Sequence, residues 1–438
     1  MNRRLSPAWL LGILSGLNLL NYVDRYVVAA VLTPIQGEFH VNDGDLGRIN
    51  TIFMIGYFFT APLFGLLGDQ VVPKSGWARL LVRLLCGYFG YPPERKWLIA
   101  AGIFVWSLGT LLTGFAATFA LLLLFRVLVG VGEASYATIS PSLISDTYPP
   151  ARRNNALTIF YAAIPVGAAL GNILGGHVAQ AWSWRAAFIW AGLPGLLLAL
   201  VLLPFEEPQR GQAEGRTHTE RPKPLDALKL FRLPDYQLVV WGYTAYTFAL
   251  GAFGVWGPTF LHRIHRIPNE HAATFFGAVL VVAGLVGTLA GGFAATAWRR
   301  RNPAGYAWTL SLSALLAVPV AVAAFLAPNA TVSMICLATA MLLIFLCTGP
   351  VNTLILETVP LNLRASAMAV SIFLIHLFGD MWSAEIVGRL SDRWGNLQQA
   401  VLILPGALLV CAALWVILAI KTTRARPGDV ADRTAGPK

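Results

Sequence analysis

The chain has 438 residues, 56% of them hydrophobic and only 12% charged, with a mean hydropathy of +0.64. That balance excludes an ordinary soluble domain and places the chain among integral membrane proteins. The net charge of +11 is no nucleic-acid footprint, because the Lys and Arg residues gather on alternate connections between apolar runs.

In chain order, the start MNRRLSPAWLLGILSGL has the basic and apolar parts of a signal peptide. The apolar run continues without a small-residue cleavage site, which predicts a retained first helix. Runs long enough to cross ~30 Å of hydrocarbon, about 20 residues each, fall at roughly 9–35, 46–68, 97–117, 119–145, 156–180, 186–204, 237–261, 272–297, 305–327, 331–357, 366–390 and 398–420. An all-α membrane protein of twelve transmembrane helices is expected. Most of the 32 Lys and Arg residues lie on the N-terminal arm, the even-numbered connections and the tail. This predicts a multi-pass protein with both termini cytoplasmic; a bacterial inner (plasma) membrane is its expected location.

At the inner end of the second span, GLLGDQ sets Asp69 at a helix terminus, where it can face a positive helix N-terminus. The connection that follows holds SGWARLLVRLLCGY, with Trp77, Leu81, Leu84 and Tyr88 at helical spacing. It predicts an amphipathic helix at about 75–88, lying in the membrane surface. Cys86, Cys336, Cys347 and Cys411 have no metal-ligand spacing and imply no disulfide. Residues 205–235 concentrate charge and proline and read as a cytoplasmic linker between residues 1–204 and 236–420, with a cytoplasmic tail at 421–438.

The two halves repeat. Setting Leu143 on Leu354 aligns LISDTYPPARRNNAL with LILETVPLNLRASAM, so that Asp146 meets Glu357 and Arg153 meets Arg364. Two six-helix bundles in parallel orientation follow. Such pairs suit carriers, in which similar bundles rock about a site near the bilayer midplane.

Ionisable residues inside spans cost at least ~2.5–3.5 kcal/mol each and mark polar interiors. Asp24 and Arg25 sit mid-span in LNLLNYVDRYVVAAVL, and Arg126 and Glu133 in LLFRVLVGVGEASY. Adjacent helical residues point about 100° apart, so Asp24 and Arg25 are poor partners for each other. At ~1.5 Å per residue, Asp24 lies about 16 Å below the outer end of span one, with Arg126 and Glu133 at about 11 and 21 Å in span four. Asp24 is therefore expected to bridge Arg126 and Glu133. Two carboxylates around one clear cation predict a site that takes up and releases a proton; a permanent ion pair between the two helices accounts for the same residues. The second half lacks this pair and carries His376 and Asp380 on one face at i, i+4. Gly167, Gly171 and Gly175 recur every four residues and predict a close helix approach.

Asp69, the Asp146/Arg153 and Glu357/Arg364 stretches, and the order Arg126, Gly130, Gly132, Glu133 resemble the gate and fourth-helix motifs of the major facilitator superfamily. NYVDR, GVGEASY, IFYAAIPVGAALG, GAFGVWGPTFL and HLFGD are more specific. Spread in order along the chain, they resemble the spinster family of proton-linked lysolipid carriers. The resemblance implies a two-bundle major facilitator fold and makes Asp24, Arg126 and Glu133 the coupling residues. The sequence departs from the family at Gln70, where an Arg is usual, and in MWSAEIVGRLSD of span eleven. Arg25, Tyr243, Tyr246, Trp256, His376 and Asp380 are candidates to line the substrate path.

The expected function is alternating-access transport of an amphipathic lysophospholipid or sphingoid-phosphate solute, coupled to protons. A drug or organic-anion antiporter of the same superfamily is the alternative. A membrane enzyme or channel is less well supported, since no nucleophile–base pair, metal box or phosphate loop appears beyond the His376/Asp380 pair. The expected working form is a monomer in the lipid bilayer, with substrate and protons as partners and no cofactor, metal or nucleic acid.

Overall fold

The computed structural model describes residues 6–68, 94–201, 229–359 and 363–424. Helix is the state that apolar runs adopt in hydrocarbon, because each must satisfy its own N–H and C=O groups. No strand occurs among the described residues.

Helix α1 (Pro7–Ala30) starts on Ser6, whose hydroxyl accepts the Trp9 amide, and has Pro7 at its first position. Its continuation α2 (Leu32–Phe39) ends at His40 in the left-handed region, φ 51°. There follow α3 (Asp43–Gly68), α4 (Arg95–Thr113), α5 (Phe119–Thr147), α6 (Pro150–Ala181) and α7 (Trp184–Val201). Helix α8 (Pro234–His265) opens the second half. Helices α9 (Asn269–Val282) and α10 (Thr288–Arg299) are joined by a π-helical turn, Ala283–Gly287. Then come α11 (Gly305–Leu326), α12 (Ala330–Phe345), α13 (Thr348–Glu357) and α14 (Arg364–Ile375). A second π-helical turn, His376–Asp380, leads into α15 (Met381–Trp394), and α16 (Leu397–Ala400) and α17 (Ile403–Arg424) are the last described elements.

Among the described residues nine helices are long and apolar enough to cross a membrane, and Trp184–Leu200 is a shorter apolar one. Helices α1 and α3 have the length, 24 and 26 residues, but carry charged groups. With these the passes number the twelve expected. Phe59, Phe293 and Leu197 are among the large apolar side chains left exposed, as a surface facing lipid requires.

The chain divides into two compact units, Met1–His40 with Ile49–Thr219 and Val41–Arg48 with Glu220–Lys438. The division near the middle lies in the charged stretch expected to link the bundles. The first turn of α3, however, belongs to the second unit. Helix α17 reaches Arg424, so Lys421 is helical and pairs with Asp235 rather than opening a tail. Asp69, the 75–88 stretch and most of 205–235 lie outside the described residues.

In the first unit, the small-residue face of α6 grips α1. An added Cβ at Gly171 would lie 2.6 Å from the Val23 carbonyl oxygen, and one at Gly167 would strike that of Leu19. Asn18 Nδ2 adds a 2.8 Å hydrogen bond to the Phe160 carbonyl. Gly130 of α5 meets the Phe53 carbonyl of α3 in the same way. These contacts fix both the height and the rotation of the helices that carry the mid-span charges.

Candidate functional site

Asp24, Arg126 and Glu133 are brought together in the first unit, each at most 2% exposed. Their pairing differs from the expected one. Arg25, not Asp24, reaches Glu133, with Nη2 at 2.7 Å and Nε at 3.2 Å from Oε2. The grip of α6 turns α1 so that Arg25 points at α5, and Asp24, about 100° round the helix, points at α4. There Asp24 Oδ2 accepts a 3.3 Å hydrogen bond from the Thr110 hydroxyl. Two cations thus serve two carboxylates, where sequence depth alone counted one.

Aromatic rings of α1 and α3 flank the two guanidiniums. The Arg25 guanidinium lies 4.9 Å from the centroids of both Tyr22 and Phe53, and that of Arg126 lies 5.2 Å from the same Phe53 ring. Several buried polar atoms have no hydrogen-bond partner among the described residues: Asp24 Oδ1, Glu133 Oε1, and Arg126 Nε and Nη1. Arg25, a candidate for the substrate path, is engaged by Glu133 in this arrangement.

In the second unit, GAFGVWGPTFL and HLFGD meet. HLFGD is the whole π-helical turn, and Gly251 of α8 packs an open backbone against Asp380, where a Cβ would lie 2.7 Å from that of the aspartate. The Thr247 hydroxyl donates to the Ile375 carbonyl at 3.1 Å, satisfying an acceptor beside the irregular turn. His376 Nδ1 lies 3.0 Å from Asp380 Oδ1, both side chains about one quarter exposed. A π-turn holding an acid–base pair is a common mark of a functional site.

Tyr243 and Tyr246 face each other at 5.7 Å, and the Tyr246 hydroxyl is 3.2 Å from that of Thr348. Trp256 is placed differently from expectation. Its indole is buried and donates to the Ala384 carbonyl at 2.9 Å, so it packs α8 on α15 instead of lining an open path.

Near the ends of the helices expected to face the cytoplasm, the two halves carry matching ion pairs that the motif reading missed. Asp146 is held by Arg95 at 2.6 Å, with Ser142 also on that guanidinium, and Glu357 lies 3.6 Å from Arg299. Arg95 and Arg299 each sit at a span end, next to a connection, where a basic residue reads as a topology signal; a carboxylate at the matching end of span four or ten was the clue to a second role. The side chains of Arg153 and Arg364 lie outside the described residues.

At the opposite end, the second unit holds the first turn of α3. Asp43 takes Arg263 on both oxygens, at 2.7 and 2.8 Å, and a 2.7 Å hydrogen bond from Ser391. Asp392 accepts the backbone amides of Asp43 and Gly44 at 2.8 and 2.6 Å, capping a helix far from it in sequence.

The family model of the Major Facilitator Superfamily matches residues 14–384. Protein spinster homolog 1 of Xenopus laevis is 33% identical over 434 residues, covering 92% of this chain and 78% of that protein. The probable sphingolipid transporter spinster homolog 1 of Arabidopsis thaliana is 29% identical, covering 98% and 92%. Among solved structures, a bacterial homolog to the human lysosomal transporter Spinster, in an inward-facing and occupied conformation, matches with a TM-score of 0.80 at 23% identity, over 95% of this chain and 98% of that one.

The match to the superfamily model and to the spinster proteins, on a fold of helical passes with buried mid-span charges, makes the chain a membrane transporter rather than an enzyme. The chain belongs to the major facilitator superfamily and, within it, to the spinster family.

Proposed function

We propose that the protein is a proton-coupled carrier of an amphipathic, lipid-like solute of the lysophospholipid or sphingoid-phosphate class. It works as a monomer by alternating access, with both termini in the cytoplasm of a bacterial cell and the helices in its inner membrane. One observation carries the coupling. Asp24 and Arg126, 1% and 2% exposed, keep polar atoms without hydrogen bonds in the interior of a helical unit. Such atoms are costly unless a partner comes and goes. A proton on Asp24 and an anionic group on Arg126 are suitable partners, the guanidinium being well matched to phosphate.

On this reading Asp24, Arg126 and Glu133 form the coupling site, and Arg25 holds Glu133 in place. His376 and Asp380, with Tyr243 and Tyr246, are the second unit's contribution to the substrate path. Asp146 and Glu357, with Asp69, Arg153 and Arg364, belong to the inner gate. The substrate class is supported by the printed name of the Arabidopsis relative, a probable sphingolipid transporter.

Uptake into proteoliposomes with and without a pH gradient tests the proposal. Asp24→Asn is expected to retain fold and substrate binding but lose acceleration by the gradient, and Glu133→Gln to share part of that loss. An Asp24→Asn protein that responds to the gradient like its parent overturns the coupling. Melting curves test the solute: single-chain lysolipids should stabilise the protein more than sugars or cationic dyes, and stabilisation by cationic drugs alone overturns the lipid class.

A further inference from the structure

Beyond the transport path, the end of α10 carries an open cavity of about 540 Å³ lined by Ala297, Trp298, Arg300 and Arg301. Its two arginines differ from their neighbour. Arg299 is taken up by Glu357, whereas the side chains of Arg300 and Arg301 make no hydrogen bond or ion pair with any of the described residues. The backbone keeps helical torsions through Arg300, φ −64° and ψ −25°. Leu289, Phe293, Ala297 and Arg300 follow at intervals of four, four and three residues and therefore share one face. Leu289 and Phe293 are 61% and 76% exposed, so that face is an open apolar stripe running from hydrocarbon depth to the arginine-lined cavity.

We infer that this cavity is a binding site for a diacyl phospholipid with an anionic phosphodiester headgroup, drawn from the adjoining leaflet. The headgroup phosphate sits between the Arg300 and Arg301 guanidiniums, which offer planar paired donors. Trp298 lies at the headgroup level, where indole rings are favoured. An acyl chain follows the Leu289–Phe293 stripe. Topological charge alone accounts for basic residues at this end of a span, but it requires neither a cavity nor an apolar track aligned with it. Basic pockets at the cytoplasmic ends of membrane helices take up anionic headgroups on the same physical grounds.

The site is independent of the transported solute, and its test does not read transport. Delipidated protein in nonionic detergent is titrated with diacyl phosphatidylglycerol, diacyl phosphatidylcholine and glycerol phosphate, and bound molecules are counted by native mass spectrometry. Phosphatidylglycerol is expected to bind in preference to phosphatidylcholine, and glycerol phosphate, without chains, to leave the cavity empty. Arg300→Gln and Arg301→Gln should each weaken phosphatidylglycerol about fivefold, and the double variant roughly 30-fold. Arg232→Gln, at an exposed basic position outside the cavity, should leave the affinity unchanged. Among the described residues neither cavity arginine holds another side chain, so melting in phosphatidylcholine should match the parent. Equal retention by parent and double variant, equal binding of the two lipids, tight binding of glycerol phosphate, or the same loss in Arg232→Gln would each overturn the site.

Discussion

Replacing Arg25 by Met removes the cation from Glu133 while keeping an unbranched apolar side chain against Tyr22 and Phe53. Glu133 is completely buried, and both hydrogen bonds that its Oε2 accepts come from Arg25. Breaking a buried ion pair from one side costs about 3–5 kcal/mol, because the remaining charge is left uncompensated. Arg25 is 21% exposed, so the lower end, about 3 kcal/mol, applies to its loss. Glu133→Gln leaves the charge on the partly wetted partner and should cost about 1–2 kcal/mol. The double replacement leaves no unpaired charge and should cost about 2 kcal/mol, less than the sum of the single costs. The assay is unfolding in detergent followed by the fluorescence of the 14 tryptophans, with all four proteins at one lipid content. Simple addition of the two single losses would refute the pair as the partner that Glu133 depends on.

Gly171→Leu should destabilise the protein by about 1–3 kcal/mol by forcing α6 off the Val23 carbonyl, whereas Gly12→Ala, with open space around its Cα, should be neutral or stabilising by up to about 1 kcal/mol; melting temperatures compare the two. Asp392→Ala removes the cap on two amides of α3 and should cost about 0.5–2 kcal/mol, measured by unfolding in detergent, with Asp392→Asn retaining part of it. Arg95→Gln should leave Asp146 with weaker compensation and speed proteolysis near the start of α4, while Arg299→Gln, across a longer ion pair, should do less in the matching connection of the second half.

The passes, the repeat and the mid-span charges were legible because hydrocarbon imposes length, apolarity and a penalty on ions that show in any one-letter text. Partner choice was not. Depth along a helix follows from counting residues, but rotation about its axis depends on which neighbour grips it, and the α6 glycines decide that for α1. A turn of α1 by about 100°, one residue's step, exchanges Arg25 for Asp24 as the residue facing Glu133. Trp256 shows the same limit in α8, since a tryptophan lining a path and one bonded to the Ala384 carbonyl read alike in sequence. The π-turn at HLFGD was hidden for another reason: one extra residue in a turn leaves the apolar pattern nearly unchanged while redirecting every side chain after it. Arg95 and Arg299 were visible but had already been explained by topology, although a residue can serve membrane orientation and a specific carboxylate together.

The cap on α3 has a consequence for how the chain is made. Asp392 lies 349 residues after the Asp43 amide it accepts. At about 5–20 residues per second, synthesis needs roughly 20–70 s to deliver that carboxylate once Asp43 has emerged. During this interval the first turn of the second span has its leading amides open to water and headgroups, and the Asp43 carboxylate waits for Arg263 and then Ser391. The turn is thus finished in two stages as later spans leave the translocon. Until the eleventh arrives, the nascent protein carries an unfinished helix end at its membrane surface.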